Sequence, residues 1–192
     1  MNEYFDILDE NGNKTGNTKL RKEVHRDGDW HKAVHIWVLN ENGDVLLQRR
    51  SADKDSNPNM LDISSAGHLS AGDESLTGAI RELKEELNIE VQPSELQFIT
   101  TLKRASKYTS TLLKRASKYT STFINNEFDD LYILRTNLKI EDMEYQREEL
   151  QDLFYMPYKE FKKMVEENHP ELLKHNDEFE ILFEMFDREF DK

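Results

Sequence analysis

The segment from Leu61 to Leu87 constrains this chain more than any other. Leu61 to Leu69 reads as a strand running into a loop, Ala71-Gly72-Asp73 turns, and a helix follows from about Glu74 to Leu87. Within that helix Leu76, Ile80, Leu83 and Leu87 recur at i, i+4, i+7 and i+11, a single stripe that has to bury against something. At about 100° per residue, Glu82 and Glu86 lie roughly 40° apart on one flank of the stripe, with Glu85 almost opposite its centre. Ser75, Gly78 and Ala79 precede them on that flank, and their small side chains predict room there for a bulky ligand. Carboxylates gathered this closely repel one another unless a hard divalent cation sits among them. Arg81 stands one turn before Glu85 and can pair with it. The competing reading is a solvated helix face laced by Arg81 and Lys84.

Around this unit the chain alternates strand and helix signals. Trp30 to Leu39 is apolar at both alternating sets of positions, which predicts a central strand covered on two faces. Tyr4 to Leu8 predicts a short edge strand of a hairpin turned by Asn11-Gly12, and Val45 to Arg49 returns after the turn at Asn42-Gly43. Further strands are expected at Ile89–Val91, Leu96–Thr101, Leu131–Arg135 and Leu153–Met156. Helices are expected at Tyr158–Asn168 and from about Glu171 to Phe190. The class is α/β or α+β with a mixed sheet. The expected organisation is an N-terminal hairpin extension over 1–28, a principal domain over 29–165, and a C-terminal helix over 166–192 whose apolar residues pack on that same domain.

Leu102-Lys-Arg-Ala-Ser-Lys-Tyr-Thr-Ser-Thr111 recurs letter for letter from Leu113 to Thr122. Eleven is odd, so one continuous strand would turn equivalent residues to opposite faces, whereas about 1100° of helix returns them to nearly the same one. The expectation is a helix or a looped-out excursion over 102–122. The repeat gathers Lys103, Arg104, Lys107, Lys114, Arg115 and Lys118, either a basic arm near an anionic substrate or a solvated loop.

The chain has no cysteine, which excludes disulfides, thiolate metal sites and thiol nucleophiles. Its formal net charge of −13 argues against nucleic acid and anionic membranes as partners, and implies that phosphates are handled through a cation. No apolar run is long enough to span a bilayer and the first residues lack a signal-like pattern, so a cytoplasmic location is expected.

The spacing from Gly67 to Ile89 resembles the Nudix box, G-x5-E-x7-R-E-U-x-E-E-x-G-U with U aliphatic. It departs at Asp73, where the pattern has Glu, and at Asn88, where it has Gly. Asn tolerates the left-handed conformation of a helix end, and Asp73 is a candidate helix N-cap. The strings from Glu23 to His35, Leu47 to Ser51, Asp62 to His68 and Phe123 to Phe128 are similar to the Nudix branch related to isopentenyl-diphosphate isomerase. In that branch His25, His31 and His68 match metal-binding histidines and Glu127 a glutamate of the second motif, while Asn125 stands where another glutamate is usual. The isomerase's catalytic cysteine falls on Ala66, so its proton carrier is missing.

The resemblance implies a Nudix fold, an α/β/α sandwich around a mixed sheet, and Mg²⁺- or Mn²⁺-dependent cleavage of a nucleoside diphosphate linked to another moiety X. It implies metal ligands at Glu82, Glu85, Glu86 and the Gly67 carbonyl, with Arg81 and Asp73 in support. Glu85, Glu127 and Glu149 are the candidate general bases. Arg49, Arg50 and His68 are the candidate substrate contacts. A small-molecule diphosphate is the expected partner, and the protein is expected to be a monomer or homodimer. The alternatives are an isomerase-like enzyme and a non-catalytic diphosphate-binding module. His35, on an apolar strand, reads as a hydrogen-bonded core residue, and Trp30 and Trp37 as core.

Overall fold

The computed structural model describes residues 3–54, 57–114, 117–147 and 149–190, with side chains described outside 108–121. The expected central strand, β3 (Trp30–Leu39), organises everything else. Along one side it pairs in parallel with β8 (Ser117–Arg135), from Trp30↔Asn126 to Leu39↔Arg135. Along its other side it meets three strands in turn. These are β1 (Tyr4–Leu8) at Leu8↔Trp30, β6 (Ser65–His68) from Ala33↔His68 to Ile36↔Ser65, and β4 (Val45–Arg50) at Leu39↔Val45. The short β5 (Leu61–Asp62) and β9 (Leu150–Met156) flank β4.

The two-sided apolar pattern of β3 is resolved by two cores. Val34, Ile36 and Val38 pack with Ala79, Leu83 and Leu87 of α2 (Ser75–Leu87). Trp37 and Leu39 pack on the opposite face with Phe161 of α3 (Tyr158–Glu166) and with Phe179, Leu182 and Phe186 of α4 (Asn176–Phe190). This is the α/β/α arrangement, with the apolar C-terminal segment covering the chain's own sheet.

Several expectations are corrected. β1 is not an edge strand, because β2 (Lys14–Leu20) lies outside it and the hairpin joins the sheet through β1. A short helix, α1 (Arg21–Asp27), follows β2 where no periodicity announced one. Ile89–Val91 is irregular rather than a strand. Asn88 turns left-handed at φ 53°, Ile89 N–H donates back to the Leu83 carbonyl at 3.1 Å, and Ile89 is buried as a helix-end plug. Asp73 is not the helix N-cap, since Glu74 holds that position without a side-chain cap bond. The small residues on α2 leave no room for a ligand. A Cβ on Gly78 would lie 2.1 Å from Leu69 Cδ2, Ala79 is fully buried, and Ser75 Oγ bonds the Tyr132 hydroxyl, so they allow close helix–sheet packing instead.

The duplication forms neither a helix nor a loop excursion. It lengthens a hairpin whose arms are β7 (Leu96–Lys114) and β8, paired from Leu96↔Leu134 out to Lys114↔Ser117. The parity argument assumed both copies on one strand. In a hairpin the added residues are shared between two arms and the turn, so an odd number disturbs no register at the base.

Candidate active site

β6 and α2 are brought together by a glycine. A Cβ on Gly67 would stand 2.1 Å from Glu82 Cδ and 2.4 Å from each carboxylate oxygen, so only glycine allows Glu82 to lie against this backbone. One turn on, Glu86 accepts a hydrogen bond from Ser65 Oγ at 2.7 Å. Burial, with Glu82 nearby, pushes the Glu86 carboxyl up to about 7, and burial raises that of Glu82 as well. Arg81 spans the group, reaching Glu82 at 2.8 Å, Glu85 at 2.9 Å and Asp73 at 3.6 Å while donating to the His68 carbonyl at 3.1 Å. Two enclosed acids at elevated pKa supply oxygen donors suited to a hard divalent cation.

The loop after β4 and the loop before β9 close this site. Lys54 forms an ion pair with Glu149, and its charge also acts on Glu86. Burial lowers the Lys54 pKa, as do the neighbouring charges of Arg50 and Arg21. Lys54 thus stands beside Glu86 with the charges of Arg50 and Arg21 within reach of it, Arg21 being itself paired with Glu3 at 2.8 Å. Sequence reasoning missed Lys54 and Arg21, which belong to no periodic pattern and reach the site through loop and helix placement alone. Arg49 points elsewhere, holding Glu171 at 3.0 Å and the Asn59 carbonyl at 2.8 Å as a clasp between chain segments.

On the opposite face of the sheet, β1, α1, β3, β6 and β8 assemble a second group. His25, His31 and His68 present ligand atoms all within 4.8 Å of one another. His25 Nδ1 lies 3.3 Å from the Ile124 carbonyl and His31 Nδ1 3.1 Å from the Asp29 carbonyl, contacts that assign the protons to Nδ1. Of the three, His25 Nε2 is buried without a partner, whereas the Nε2 atoms of His68 and His31 face a carboxylate. Glu127 Oε1 lies 3.0 Å from His68 Nε2 and 3.5 Å from His31 Nε2, and Phe5 stacks on both of these rings. Burial, reinforced by its two histidine neighbours, drives the His25 pKa down to about 4. Three imidazoles and one carboxylate converging in this way have the donor chemistry of a transition-metal site. Glu127, expected as a general base, belongs to this group.

Along the same face Asp129 is buried, and burial raises its carboxyl to about 6. His35 bonds Glu178 at 2.5 Å, as its core placement predicted, and Trp37 Nε1 donates to the same carboxylate at 2.8 Å. Burial alone would lower the His35 pKa, but Glu178 and Asp129 hold it up at about 10. Arg104, from the first copy of the repeat, bridges Glu178 at 2.6 Å and Asp129 at 3.0 Å.

Comparison with known proteins identifies the family. The NUDIX domain family model matches residues 29–175. The chain belongs to the Nudix family. Together with relatives named Nudix hydrolases, membership supports an enzyme that hydrolyses diphosphate linkages in general. Nudix hydrolase 3 of Arabidopsis thaliana is 41% identical over 188 residues, covering 95% of this chain but only 23% of that protein's length. An uncharacterized Nudix hydrolase of Clostridium acetobutylicum is 36% identical over 167 residues, covering 85% of this chain and 74% of that one. A Deinococcus radiodurans crystal structure shares the fold at a TM-score of 0.60 and 18% identity, covering 85% of this chain and 88% of that one. The Nudix box of this chain is the segment that Gly67 and Glu82 hold together. Among the described residues no helix is long and apolar enough to cross a membrane.

Proposed function

We propose that the protein is a Mg²⁺-dependent hydrolase that cleaves the diphosphate linkage of a nucleoside diphosphate joined to a moiety X. The observation that carries this reading is the contact of the Glu82 carboxylate with Gly67, which sets Glu82 one turn from the buried Glu86, with Lys54 beside it. Glu82, Glu86 and the Gly67 carbonyl would be the ligands, with Glu85 held by Arg81 on the exposed side of α2, and Mn²⁺ suits the same oxygen donors. Bound there, the cation supplies phosphate charge neutralisation and a water of lowered pKa.

The chain's own residues supply the rest. Arg50 and Lys54 hold the diphosphate through charge-assisted hydrogen bonds, and Arg21 adds positive charge nearby. Among the three candidate bases, Glu85 is tied to Arg81 on the exposed side of α2 and Glu127 is tied to His68 and His31. Glu149 stands beside the cation-lined entrance, paired with Lys54. It accepts the proton as the water oxygen bonds to phosphorus and the bridging P–O bond breaks, the electron pair leaving on the departing phosphate. The isomerase alternative has no proton carrier at Ala66, and the box acids are intact, unlike those expected of a non-catalytic module. A second divalent cation, of transition-metal type, is assigned to His25, His31, His68 and Glu127, on the strength of the convergence of their ligand atoms and the unpartnered Nε2 of His25.

The test is incubation with Mg²⁺ and a panel of diphosphates including ADP-ribose, nucleotide sugars, CDP, CTP and isopentenyl diphosphate, with product chromatography. Glu149→Gln is expected to lower kcat by about a hundredfold or more with little change in KM, the loss typical of a removed general base. Cleavage of no member, or isomerised product in place of hydrolysed product, overturns the reading.

A further inference from the structure

The residues after α3 are strapped along β5. Leu61 N–H donates to the Glu171 carbonyl at 2.7 Å, and Leu173 N–H donates to the Leu61 carbonyl at 2.9 Å. This strap delivers His175 to Asp62, a buried carboxylate whose Oδ1 lies 3.0 Å from His175 Nε2. Asp62 Oδ1 also accepts from the Ile63 backbone at 2.9 Å, and Oδ2 accepts from Arg50 at 3.1 Å. On its other side His175 Nδ1 lies 3.6 Å from Glu178 Oε1, on the first turn of α4. A line of contacts therefore runs from the start of the C-terminal helix through His175 and Asp62 to Arg50, the cation assigned above to the diphosphate.

We infer that His175 is a positioning residue for phosphate binding. It fixes the Asp62 carboxylate, and Asp62 in turn aims the Arg50 guanidinium. A guanidinium recognises phosphate through a planar fork, so its orientation determines affinity as much as its charge does. Arg50 Nε also donates to the Asn57 carbonyl at 3.2 Å, so it is the Nη1 end of the fork that loses its direction when the Asp62 carboxylate is released by His175. The C-terminal segment is thus part of the substrate site as well as a cover for the core. This inference rests on the proposed role of Arg50 at the diphosphate.

The experiment is calorimetric titration of the full chain with inorganic pyrophosphate in the presence of Mg²⁺. The variants are Arg50→Ala, His175→Leu, His175→Gln and the double variant Arg50→Ala/His175→Leu. Arg50→Ala and His175→Leu are each expected to weaken binding by about tenfold, the scale of one misdirected charge-assisted bond. His175→Gln, which keeps a donor toward Asp62, is expected to restore most of the affinity. The double variant is expected to bind no more weakly than Arg50→Ala alone, since residues acting through one contact are not additive. A purely structural His175 gives additive losses, or equal losses for Leu and Gln, and either result overturns the inference. Unchanged affinity in His175→Leu with a tenfold loss in Arg50→Ala overturns it while leaving the diphosphate site standing. No pyrophosphate binding by the unsubstituted chain removes the diphosphate site and the inference together.

Discussion

Replacing Glu86 by Gln is expected to make the metal-free protein more stable at alkaline pH while removing its activity. Burial raises the Glu86 carboxyl from 4.5 in the unfolded chain to about 7 in the fold. Between those values the folded state binds more protons than the unfolded one, so stability falls as pH rises from 4.5 through 7 and then stays level for this group. At about 1.4 kcal/mol per unit, the ionised side chain costs the fold about 3 kcal/mol above pH 7. Gln carries no charge to desolvate, and its oxygen still accepts from Ser65 Oγ. Its amide hydrogens, however, replace an oxygen that faces the Ala66 backbone N–H, a mismatch worth about 1 kcal/mol. The net gain at pH 8 is then about 2 kcal/mol, or about 4–8 °C in Tm for a chain of this length. At pH 5 the native Glu86 is itself neutral, and the variant should be equal or slightly less stable. Thermal melts in chelator at both pH values measure the difference. An equal advantage at pH 5 and pH 8, or none at pH 8, refutes the argument from buried charge. Hydrolysis by the variant should fall by about a hundredfold or more, because an oxygen ligand to the cation has lost its charge.

Two further outcomes follow from packing. Gly67→Ala forces the Glu82 carboxylate away from the backbone, and because that group ends a flexible side chain the fold loses only about 1 kcal/mol. Its Tm should stay within about 4 °C of the parent while Mg²⁺-dependent activity falls by about a hundredfold, and near-native activity would falsify the requirement for glycine. Deleting 112–122 leaves Leu102–Tyr108 to pair with 123–129 in the register they already hold, closed by Thr109-Ser110-Thr111. Three-residue hairpin loops are common and loop length alters closure entropy little, so stability should change by less than about 1 kcal/mol. A melt lowered by more than about 5 °C, or lost hydrolysis, would show that the repeat does more than lengthen the arm.

The strongly periodic parts of the sequence were legible. β3 matches its two-sided apolar run residue for residue, and α2 begins within a residue of its expected start. What periodicity does not encode was missed. α1 is too short to show a stripe, and Ile89–Val91 looked like a strand because a buried helix-end plug is apolar for the same reason a strand is. Gly78 and Ala79 looked like ligand space because smallness in sequence does not say whether a ligand or Leu69 fills the gap. At the site, the box acids could be read from spacing on a helix face. Lys54, Arg21, Asp62 and His175 could not, since each depends on a loop or strap meeting another strand.

By itself the sequence determined the local geometry of α2, the absence of thiol chemistry, and the sheet-and-helix class, because those follow from period and composition. Tertiary structure decided which acids stand together and which do not. Glu82 meets Gly67 and Glu86 meets Ser65 beside α2, whereas Glu127, equally acidic in sequence, is carried by β8 to the histidines on the other face. A side chain's residue type sets what chemistry it can perform. Only the pairing of distant strands, and the burial that comes with it, sets which partners it performs that chemistry with.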